Sequence, residues 1–312
     1  MTRRYLDQRL KLHLLRAADA IDTQGSLLKA AASLGITQPA LTKSLRDLEE
    51  MMQQRLFERH ARGTRPTPAG AIVARSARRI LAELHRLDEE LDTLASPSRG
   101  TVALGALPVA AAGVLPGVLG RLKAHHPDLQ IRLQQGRTEE LLPLLAAGEV
   151  DLIVGRLYEP PMPDSFAREP LWREPISILA RTHHPIFDEE RVTVEALARF
   201  DLVLPTVSQR VGQEIDQLVS VLRLQPTASL RSNSYGFIRE MLHATDLISM
   251  MPRLMMVGDL LRGTLRIVPL PVPAPDRPAG LIYRPDSGLP PAAKIFVEVL
   301  REYIAEITDL GL

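Results

Sequence analysis

The chain has 312 residues, of which 45% are hydrophobic and 24% are charged, so its composition predicts a folded protein of two or three domains. It contains no cysteine, which excludes disulfides, thiol nucleophiles and thiolate metal sites. Aromatic residues make up only 4% of the chain, which disfavours stacking on single-stranded nucleic acid.

The net charge of +1 is unevenly distributed along the chain. Residues 1–86 contain 16 Lys and Arg against 8 Asp and Glu, a net charge of +8, which leaves −7 for the remainder. A basic first part predicts a polyanionic partner for that part. The charged N-terminus contains no signal-peptide core, and prolines interrupt the uncharged run 100–120. A cytoplasmic protein with no membrane partner is therefore expected.

Two short helices joined by a glycine turn are predicted after a first helix over Leu6 to Ile21. Ser26 precedes the first of the pair, Gly35 ends it, and Thr37 caps the second, with Gln38 and Pro39 in its first turn. This pattern is typical of a helix-turn-helix, although an ordinary helical hairpin with a solvated polar face would share it. The expected apolar positions are Leu27, Ala30, Ala31 and Leu34 on one helix and Ala40, Leu41, Leu45 and Leu48 on the other.

A basic hairpin and a long helix follow. Leu56 and Phe57 can anchor a short strand, and residues 62–65 read as the tip of a wing made basic by Arg59, Arg62 and Arg65. Thr67 and Pro68 then begin a helix that ends before a linker over 96–100. Its apolar seam could pack on its own domain, but its even spacing favours dimerisation. The seam consists of Val73, Ala77, Ile80, Leu84, Leu87, Leu91 and Leu94.

The remaining two-thirds of the chain alternates predicted strands and helices, from a strand at Thr101–Ala106 to a helix at Ala292–Ile307. Alternation of this kind indicates βαβ units and a mainly parallel sheet. The number of elements suffices for two small α/β lobes with a cleft between them. The predicted fold class is therefore α/β with an N-terminal, all-α winged helix-turn-helix.

The sequence resembles the LysR-type transcriptional regulators over nearly its whole length. The resemblance rests on SLLKAAASLGITQPALTKSLRDLEE and RLFERHARGTRPTPAG, and on the body segments LPGVLGRLKAHHPDLQIRL, ELLPLLAAGEVDLIVGRL and SNSYGFIREMLHATDLISMMP. It implies a DNA-binding domain over 1–66, a dimerisation helix over 67–96 and an effector domain over 97–312. The effector domain would resemble periplasmic binding proteins, with lobe I over about 97–165 and 266–312 and lobe II over about 166–265.

The resemblance also implies the partners and the mode of action. It implies a dimer of dimers on an interrupted palindrome in double-stranded DNA, a small-molecule effector in the cleft, and regulation of RNA polymerase.

The sequence departs from the family pattern at two places. Gln53 stands where the family usually has a glycine before the wing, and residues 107–111 lack the hydroxyl that the family tends to have after its first effector-domain strand.

Exposed polar and basic side chains of the first domain are the candidates for DNA contact. An ion pair with Glu50 one turn later is the alternative role for one of them, Arg46. The predicted DNA-binding residues are Ser26, Lys29, Thr37, Gln38, Pro39, Thr42, Lys43, Arg46, Arg62 and Arg65.

Candidates for effector contact lie where strands end and helices begin, although helix capping alone would explain several of them. A cation directly after a buried strand, Arg156, favours an organic acid, with a solvated turn arginine as the alternative. A sugar-like metabolite is the other class expected from similarity to regulators of sugar uptake and aromatic-acid catabolism. The predicted set is Pro108, Val109, Ala110, Thr138, Gly155, Arg156, Thr206, Val207, Ser208, Ser232, Ser234 and Tyr235.

No catalytic motif, metal or cofactor is predicted. The pairs at His125 and His183 have no third ligand at a suitable spacing, and no nucleophile-and-base pattern occurs. Two rivals remain open, a solute-binding protein of the same two-lobe architecture and a two-lobe enzyme. The basic first domain opposes the former, and turnover of a substrate would support the latter.

Overall fold

A computed structural model describes residues 6–60, 63–95, 100–158, 164–206, 210–224, 229–273, 277–285 and 288–312. The chain forms two compact units, one over 1–100 with 142–150 and one over 101–141 with 151–312. The first contains α1 (Leu6–Arg9), α2 (Leu12–Gln24), α3 (Leu27–Ser33), α4 (Gln38–Met52), β1 (Phe57–His60), β2 (Gly63–Pro66) and α5 (Pro68–Ala95).

The N-terminal helix predicted over Leu6 to Ile21 is two helices, because the backbone of Lys11 is extended and separates α1 from α2. Helices α2, α3 and α4 pack around one apolar core that includes Ile21, Ala30 and Leu48. The prediction of two short helices joined at Gly35 is confirmed, and Gly35 has a φ of 65°.

The buried stripe of α4 differs by one position from the predicted one. Ala40 is exposed, and Leu41, Leu45, Leu48 and Met52 are buried. Because successive residues of a helix are turned by about 100° from one another, Ala40 lies to one side of a stripe that begins at Leu41. The cap is as predicted, with Thr37 Oγ1 accepting the N–H of Ala40 at 3.3 Å.

Gln53 supplies the turn that a glycine usually makes before the wing. Its φ is 52°, in the left-handed region, and its N–H donates to the carbonyls of Glu49 and Glu50. The Glu49 carboxylate then accepts the N–H groups of Leu56 at 2.7 Å and Phe57 at 3.3 Å. The substitution therefore leaves the helix end in the conformation that glycine favours.

The wing is an antiparallel hairpin in which His60 pairs with Gly63. Gly63, Thr64 and Arg65 therefore belong to the second strand rather than to the predicted tip. The backbone N–H of Thr64 donates to the carbonyl of Gly25 at 2.8 Å, which ties the wing to the turn before α3. Thr67 caps α5 as predicted, accepting the N–H of Gly70 at 3.0 Å.

The remaining elements lie in the second unit, except for Gly100 of β3 and the part of α7 from Leu142 onward, which fall in the first. A π-helical turn at Ala110–Val114 precedes α6, and short 3-10 helices occupy Pro185–Asp188 and Arg253–Met256. The elements are β3 (Gly100–Ala106), α6 (Leu115–His125), β4 (Leu129–Gln135), α7 (Thr138–Ala147), β5 (Leu152–Arg156), β6 (Ala167–Arg173), β7 (Ile176–Arg181), α8 (Val194–Leu197), β8 (Leu202–Pro205), α9 (Arg210–Val221), β9 (Ser229–Ser232), α10 (Tyr235–Ala244), β10 (Ser249–Pro252), α11 (Val257–Leu261), β11 (Leu265–Ile267), β12 (Pro278–Tyr283) and α12 (Pro291–Asp309).

The sheets of this unit are mixed rather than mainly parallel. The first lobe has a five-stranded sheet in the order β4-β3-β5-β12-β6, in which β3 and β5 are parallel and β12 is antiparallel to both neighbours. The second lobe has β10-β7-β11, which is antiparallel, and the parallel pair β8-β9. The chain returns to the first lobe from the second, and β12 consequently runs antiparallel to β5.

Both lobe boundaries lie later than the predicted residues 166 and 266. Strand β6 pairs with β12 in the first lobe, so the chain crosses to the second lobe after Arg173 and returns between β11 and β12. The two crossovers are adjacent, because the N–H of Glu174 donates to the carbonyl of Arg277 at 2.8 Å.

In the parts of the chain that the structure describes, no helix combines the length and apolar character needed to cross a membrane.

Candidate functional site

The N-terminal part of α4 presents polar and basic side chains at the surface. Gln38, Pro39, Lys43 and Arg46 are exposed, whereas Thr42 is half-buried. Arg46 forms no ion pair with Glu50 or with any other described residue, so the predicted alternative of an intrahelical pair does not occupy it. These side chains share one exposed N-terminal face of a helix, the part that a helix-turn-helix places against base edges.

The remaining DNA candidates flank this helix. Lys29 on α3 is exposed and Ser26 is half-buried at the start of that helix, without a side-chain capping bond. Arg65 is exposed on the second wing strand, opposite Glu58. Arg62 lies outside the described residues.

The seam of α5 is divided between buried and exposed positions. Val73 is half-buried against the core of the first unit and Ala77 is fully buried, so these two positions are already covered within the chain. Four further positions form an exposed apolar stripe, and the side chain of Leu94 is outside the described residues. The exposed members are Ile80, Leu84, Leu87 and Leu91.

The second unit contains a cavity of about 570 Å³ between its lobes, within the size range of small-molecule sites. Its walls come from the ends of β3 and β5, the start of α7, the starts of α9 and α10, and both crossovers. The lining residues are Leu107, Pro108, Val109, Gln135, Gly136, Arg137, Thr138, Glu139, Glu140, Arg156, Tyr158, Glu174, Arg210, Val211, Tyr235 and Arg277.

One carboxylate, that of Glu214 on α9, holds two of the cavity arginines. Arg156 Nη1 contacts its two oxygens at 2.6 and 2.7 Å, and Arg277 Nη1 lies 2.6 Å from Oε2. Side-chain exposure is 14% for Arg156, 23% for Glu214 and 1% for Arg277. Charge-assisted bonds at this depth are strong, because little water competes for them.

Glu174 is the least satisfied group of the cavity. Its side chain is fully buried, and neither carboxylate oxygen has a hydrogen-bond partner among the described residues. The nearest cation is Arg277, whose Nη2 lies 4.0 Å from Oε2. Burial raises the pKa of Glu174 to about 7, against the opposing influence of Arg277 and Arg156.

Two tyrosines line the same cavity. The guanidiniums of Arg156 and Arg210 lie over the Tyr158 ring, 4.7 and 4.6 Å from its centroid. Burial raises the pKa of Tyr158, and burial raises that of Tyr235 to about 12. Both hydroxyls are therefore protonated at neutral pH and can donate hydrogen bonds to a ligand.

The structure places five of the predicted effector residues on the cavity wall: Pro108, Val109, Thr138, Arg156 and Tyr235. Five others do not line it: Ala110, Gly155, Thr206, Ser232 and Ser234. Capping accounts for Ser234, whose Oγ accepts the N–H of Phe237 at 3.3 Å at the start of α10. Val207 and Ser208 lie outside the described residues.

Seven charged or aromatic residues of the wall were not predicted: Arg137, Glu139, Glu140, Tyr158, Glu174, Arg210 and Arg277. Glu174 and Arg277 lie in the crossovers, where no helical or strand periodicity marks a residue as facing a site. Arg210 is the first residue of α9 and could have been found as a cation at a predicted helix start. In the described parts of the chain, no three His, Cys, Asp or Glu residues are grouped as metal ligands.

Family models match two stretches that together cover most of the chain. Residues 12–71 match the family described as "Bacterial regulatory helix-turn-helix protein, lysR family", and residues 95–305 match "LysR substrate binding domain". The chain therefore belongs to the LysR family of DNA-binding transcriptional regulators with an effector-binding domain.

Individual relatives agree with this assignment. The chain is 30% identical over 277 residues to the HTH-type transcriptional regulator GalR of Pseudomonas putida, covering 88% of this chain and 70% of that protein. It is 27% identical over 306 residues to the HTH-type transcriptional regulator PcaQ of Agrobacterium fabrum, covering 97% and 98%. Both relatives are named as transcriptional regulators.

Solved structures share the fold. A full-length OxyR variant from Pseudomonas aeruginosa superposes with a TM-score of 0.63 at 23% identity, covering 95% of this chain and 94% of that one. Full-length CbnR in complex with its target DNA gives 0.62 at 19% identity, covering 94% and 100%. At these identities the likeness establishes the fold alone.

Proposed function

We propose that the protein reads an interrupted palindrome in double-stranded DNA through α4 and the wing, and that a small molecule in the cavity controls this binding. It acts by binding rather than by catalysis, in the cytoplasm, and its output is the activity of RNA polymerase at a neighbouring promoter. The observation that carries the DNA part is the exposed N-terminal face of α4, where Gln38, Lys43 and Arg46 lie on one side and form no ion pair with the other described residues of the helix.

The chemistry of that face suits a major groove. A glutamine amide pairs with the N6 and N7 edge of adenine, and lysine or arginine pairs with guanine or with phosphate. Gln38, Lys43 and Arg46 supply those groups from one helix face, with Thr37, Pro39 and Thr42 beside them. Lys29, Arg62 and Arg65 are assigned to the DNA backbone, which fixes the register of α4 on the site.

A palindrome requires a symmetric oligomer, and the exposed stripe of α5 is suited to form one. Ile80, Leu84, Leu87 and Leu91 are all at least 37% exposed, and they repeat at spacings of four and three residues. Such a repeat buries itself against the same stripe of a second copy. The proposed assembly is a dimer through α5, with two dimers on one operator.

The effector is proposed to be a small organic acid or a sugar-like metabolite. The cavity supports this class because it combines arginines with two half-buried tyrosines and with apolar walls from Leu107, Val109 and Val211. A ligand that bridges the two lobes shifts the populations of two arrangements of the lobes only if it binds one arrangement better than the other. Cavity residues contributed by both lobes meet that requirement.

Selection of bound duplexes from a random DNA pool tests the DNA part. A Lys43→Ala, Arg65→Ala double variant is selected in parallel, with Arg132→Ala, Lys294→Ala as the matched control, because the control also loses two exposed cations. The expected result is a two-fold-related sequence that wild type and control enrich and the double variant does not. Failure of wild type to enrich any sequence, or equal enrichment by all three proteins, would contradict sequence-specific binding through α4 and the wing.

A further inference from the structure

Helix α9 reaches across the cavity with two charged side chains one turn apart. At its start, Arg210 Nη2 lies 3.2 Å from Oε1 of Glu139 on α7. Four residues later, Glu214 bonds Arg156 at the end of β5. Both contacts join the second lobe to the first, so α9 carries an outer ion pair and an inner one on the same face.

The two pairs differ sharply in burial. The outer pair is exposed, at 55% for Arg210 and 64% for Glu139, whereas Arg156 and Glu214 are 14% and 23% exposed. An exposed pair contributes little to stability because water and salt compete with it, while breaking a buried pair leaves a charge unpaired in the interior. A ligand anion therefore displaces Glu139 from Arg210 far more easily than it displaces Glu214 from Arg156.

The geometry around Arg210 directs such an anion into the cavity. Its guanidinium lies 4.6 Å from the centroid of the Tyr158 ring, which also carries the guanidinium of Arg156. The start of α7 is on the same wall, but Glu140 Oε2 already accepts the N–H of Arg137 there at 2.9 Å. The backbone N–H at residue 137 is thus already engaged by the acid of the helix itself, and Arg210 is a wall cation whose exposed partner a carboxylate can displace.

We propose that Arg210 binds the carboxylate of the effector and that Glu139 is the internal competitor which the effector displaces. This inference rests on the proposed effector function of the cavity and specifies its ligand as an organic acid. It assigns opposite roles to the two members of one ion pair. Removal of Glu139 strengthens acid binding, and removal of Arg210 weakens it. A merely structural pair would give variants that shift binding in the same direction.

The test measures calorimetric binding to the full-length protein. The probes are benzoate, succinate and gluconate, each beside its neutral amide, and the proteins are wild type, Glu139→Gln, Arg210→Gln and the double variant. For at least one acid that binds wild type in preference to its amide, Glu139→Gln is expected to bind about threefold more tightly and Arg210→Gln roughly tenfold more weakly. The double variant is expected to match Arg210→Gln.

Three results would overturn the proposal. In the first, wild type binds no acid in preference to its amide at concentrations up to about 10 mM. In the second, Glu139→Gln and Arg210→Gln shift the affinity for the acid in the same direction. In the third, Arg210→Gln binds the acid as tightly as wild type does. Selection of bound DNA duplexes with Arg210→Gln distinguishes failure of this proposal from failure of the proposed regulator function. That variant is expected to enrich the same DNA sequence as wild type, because Arg210 lies in the effector domain.

Discussion

Arg277 and Glu214 form a buried ion pair at the point where the chain returns from the second lobe to the first. Arg277 Nη1 lies 2.6 Å from Glu214 Oε2, and the arginine side chain is 1% exposed. Arg277 directly precedes β12 of the first lobe, and Glu214 belongs to α9 of the second lobe. The pair therefore joins the lobes beside their crossovers, where a change in charge affects both the fold and the cavity.

Loss of the Glu214 charge is expected to destabilise the effector domain strongly. Glu214→Gln removes the anion shared by Arg156 and Arg277 and leaves the buried guanidinium of Arg277 and the half-buried one of Arg156 with little compensation, which costs about 3 kcal/mol. Glu139→Gln is the matched control, because it breaks an exposed pair worth less than about 1 kcal/mol. Urea unfolding measures both, and equal losses in the two variants would contradict the difference in burial.

Glu174 is expected to make stability depend on pH. Burial raises the pKa of this carboxyl from 4.5 to about 7, so the native state holds a proton that the unfolded chain has released. Stability therefore falls as the pH rises from about 4.5 to about 7, by an amount on the order of 3 kcal/mol. Glu174→Gln removes this slope.

The free energy of unfolding is measured in urea at pH 5 and at pH 8. The stability of Glu174→Gln relative to wild type is expected to increase between these two values. Glu139→Gln controls for the loss of a carboxyl from the exposed rim of the same cavity. Parallel pH profiles for wild type and Glu174→Gln would show that Glu174 titrates in the native state much as it does in the unfolded chain.

Local pattern was sufficient to predict Arg156 on the cavity wall but not the group that holds it. A cation after a short buried strand is visible in the sequence, and its position follows from the strand. Glu214 lies 58 residues further on and reaches Arg156 only because α9 packs over the cleft. Glu174 and Arg277 are far apart in sequence and meet where two irregular crossovers touch, so periodicity could not pair them.

The first domain was more predictable because its signals are local. Thr37, Gly35 and Thr67 fix helix ends through contacts within a few residues, and each acts as the sequence indicates. Strand order in the effector domain depends on which lobe each segment joins. The assignment of β6 to the second lobe was wrong for that reason, since its partner β12 lies more than a hundred residues later.

Gln53→Gly is expected to stabilise the DNA-binding domain slightly. Gln53 has a φ of 52°, a conformation that costs an L-residue about 1–2 kcal/mol and costs glycine almost nothing. Greater freedom of glycine in the unfolded chain offsets roughly 0.4–1 kcal/mol of that gain, leaving about 0.5 kcal/mol. Gln54→Gly is the control, because the φ of Gln54 is not positive, and it is expected to destabilise. Thermal unfolding of both variants checks the difference in sign.

Two glycines of neighbouring segments are expected to respond oppositely to alanine. A Cβ on Gly113, in the π-helical turn, would lie 1.7 Å from the carbonyl oxygen of Leu254, so Gly113→Ala forces backbone apart and costs about 2 kcal/mol or more. A Cβ on Gly120, in α6, meets nothing within 4 Å, and Gly120→Ala gains up to about 1 kcal/mol of helix propensity. Urea midpoints that move in the same direction would contradict the close approach at Gly113.

Salt dependence distinguishes phosphate contacts from base contacts at the proposed DNA surface. The logarithm of the binding constant falls with the logarithm of salt concentration by about 0.9 per phosphate contact, so Lys43→Ala and Arg65→Ala are each expected to reduce the slope by about 1 if they bind phosphate. Gln38→Ala removes a neutral amide, so the slope stays unchanged while discrimination at one A·T pair falls by about 1–3 kcal/mol. Titration of the selected duplex and its single-base variants at several salt concentrations measures both quantities. An unchanged slope for Lys43→Ala with relaxed specificity at one base pair would instead assign Lys43 to a guanine edge.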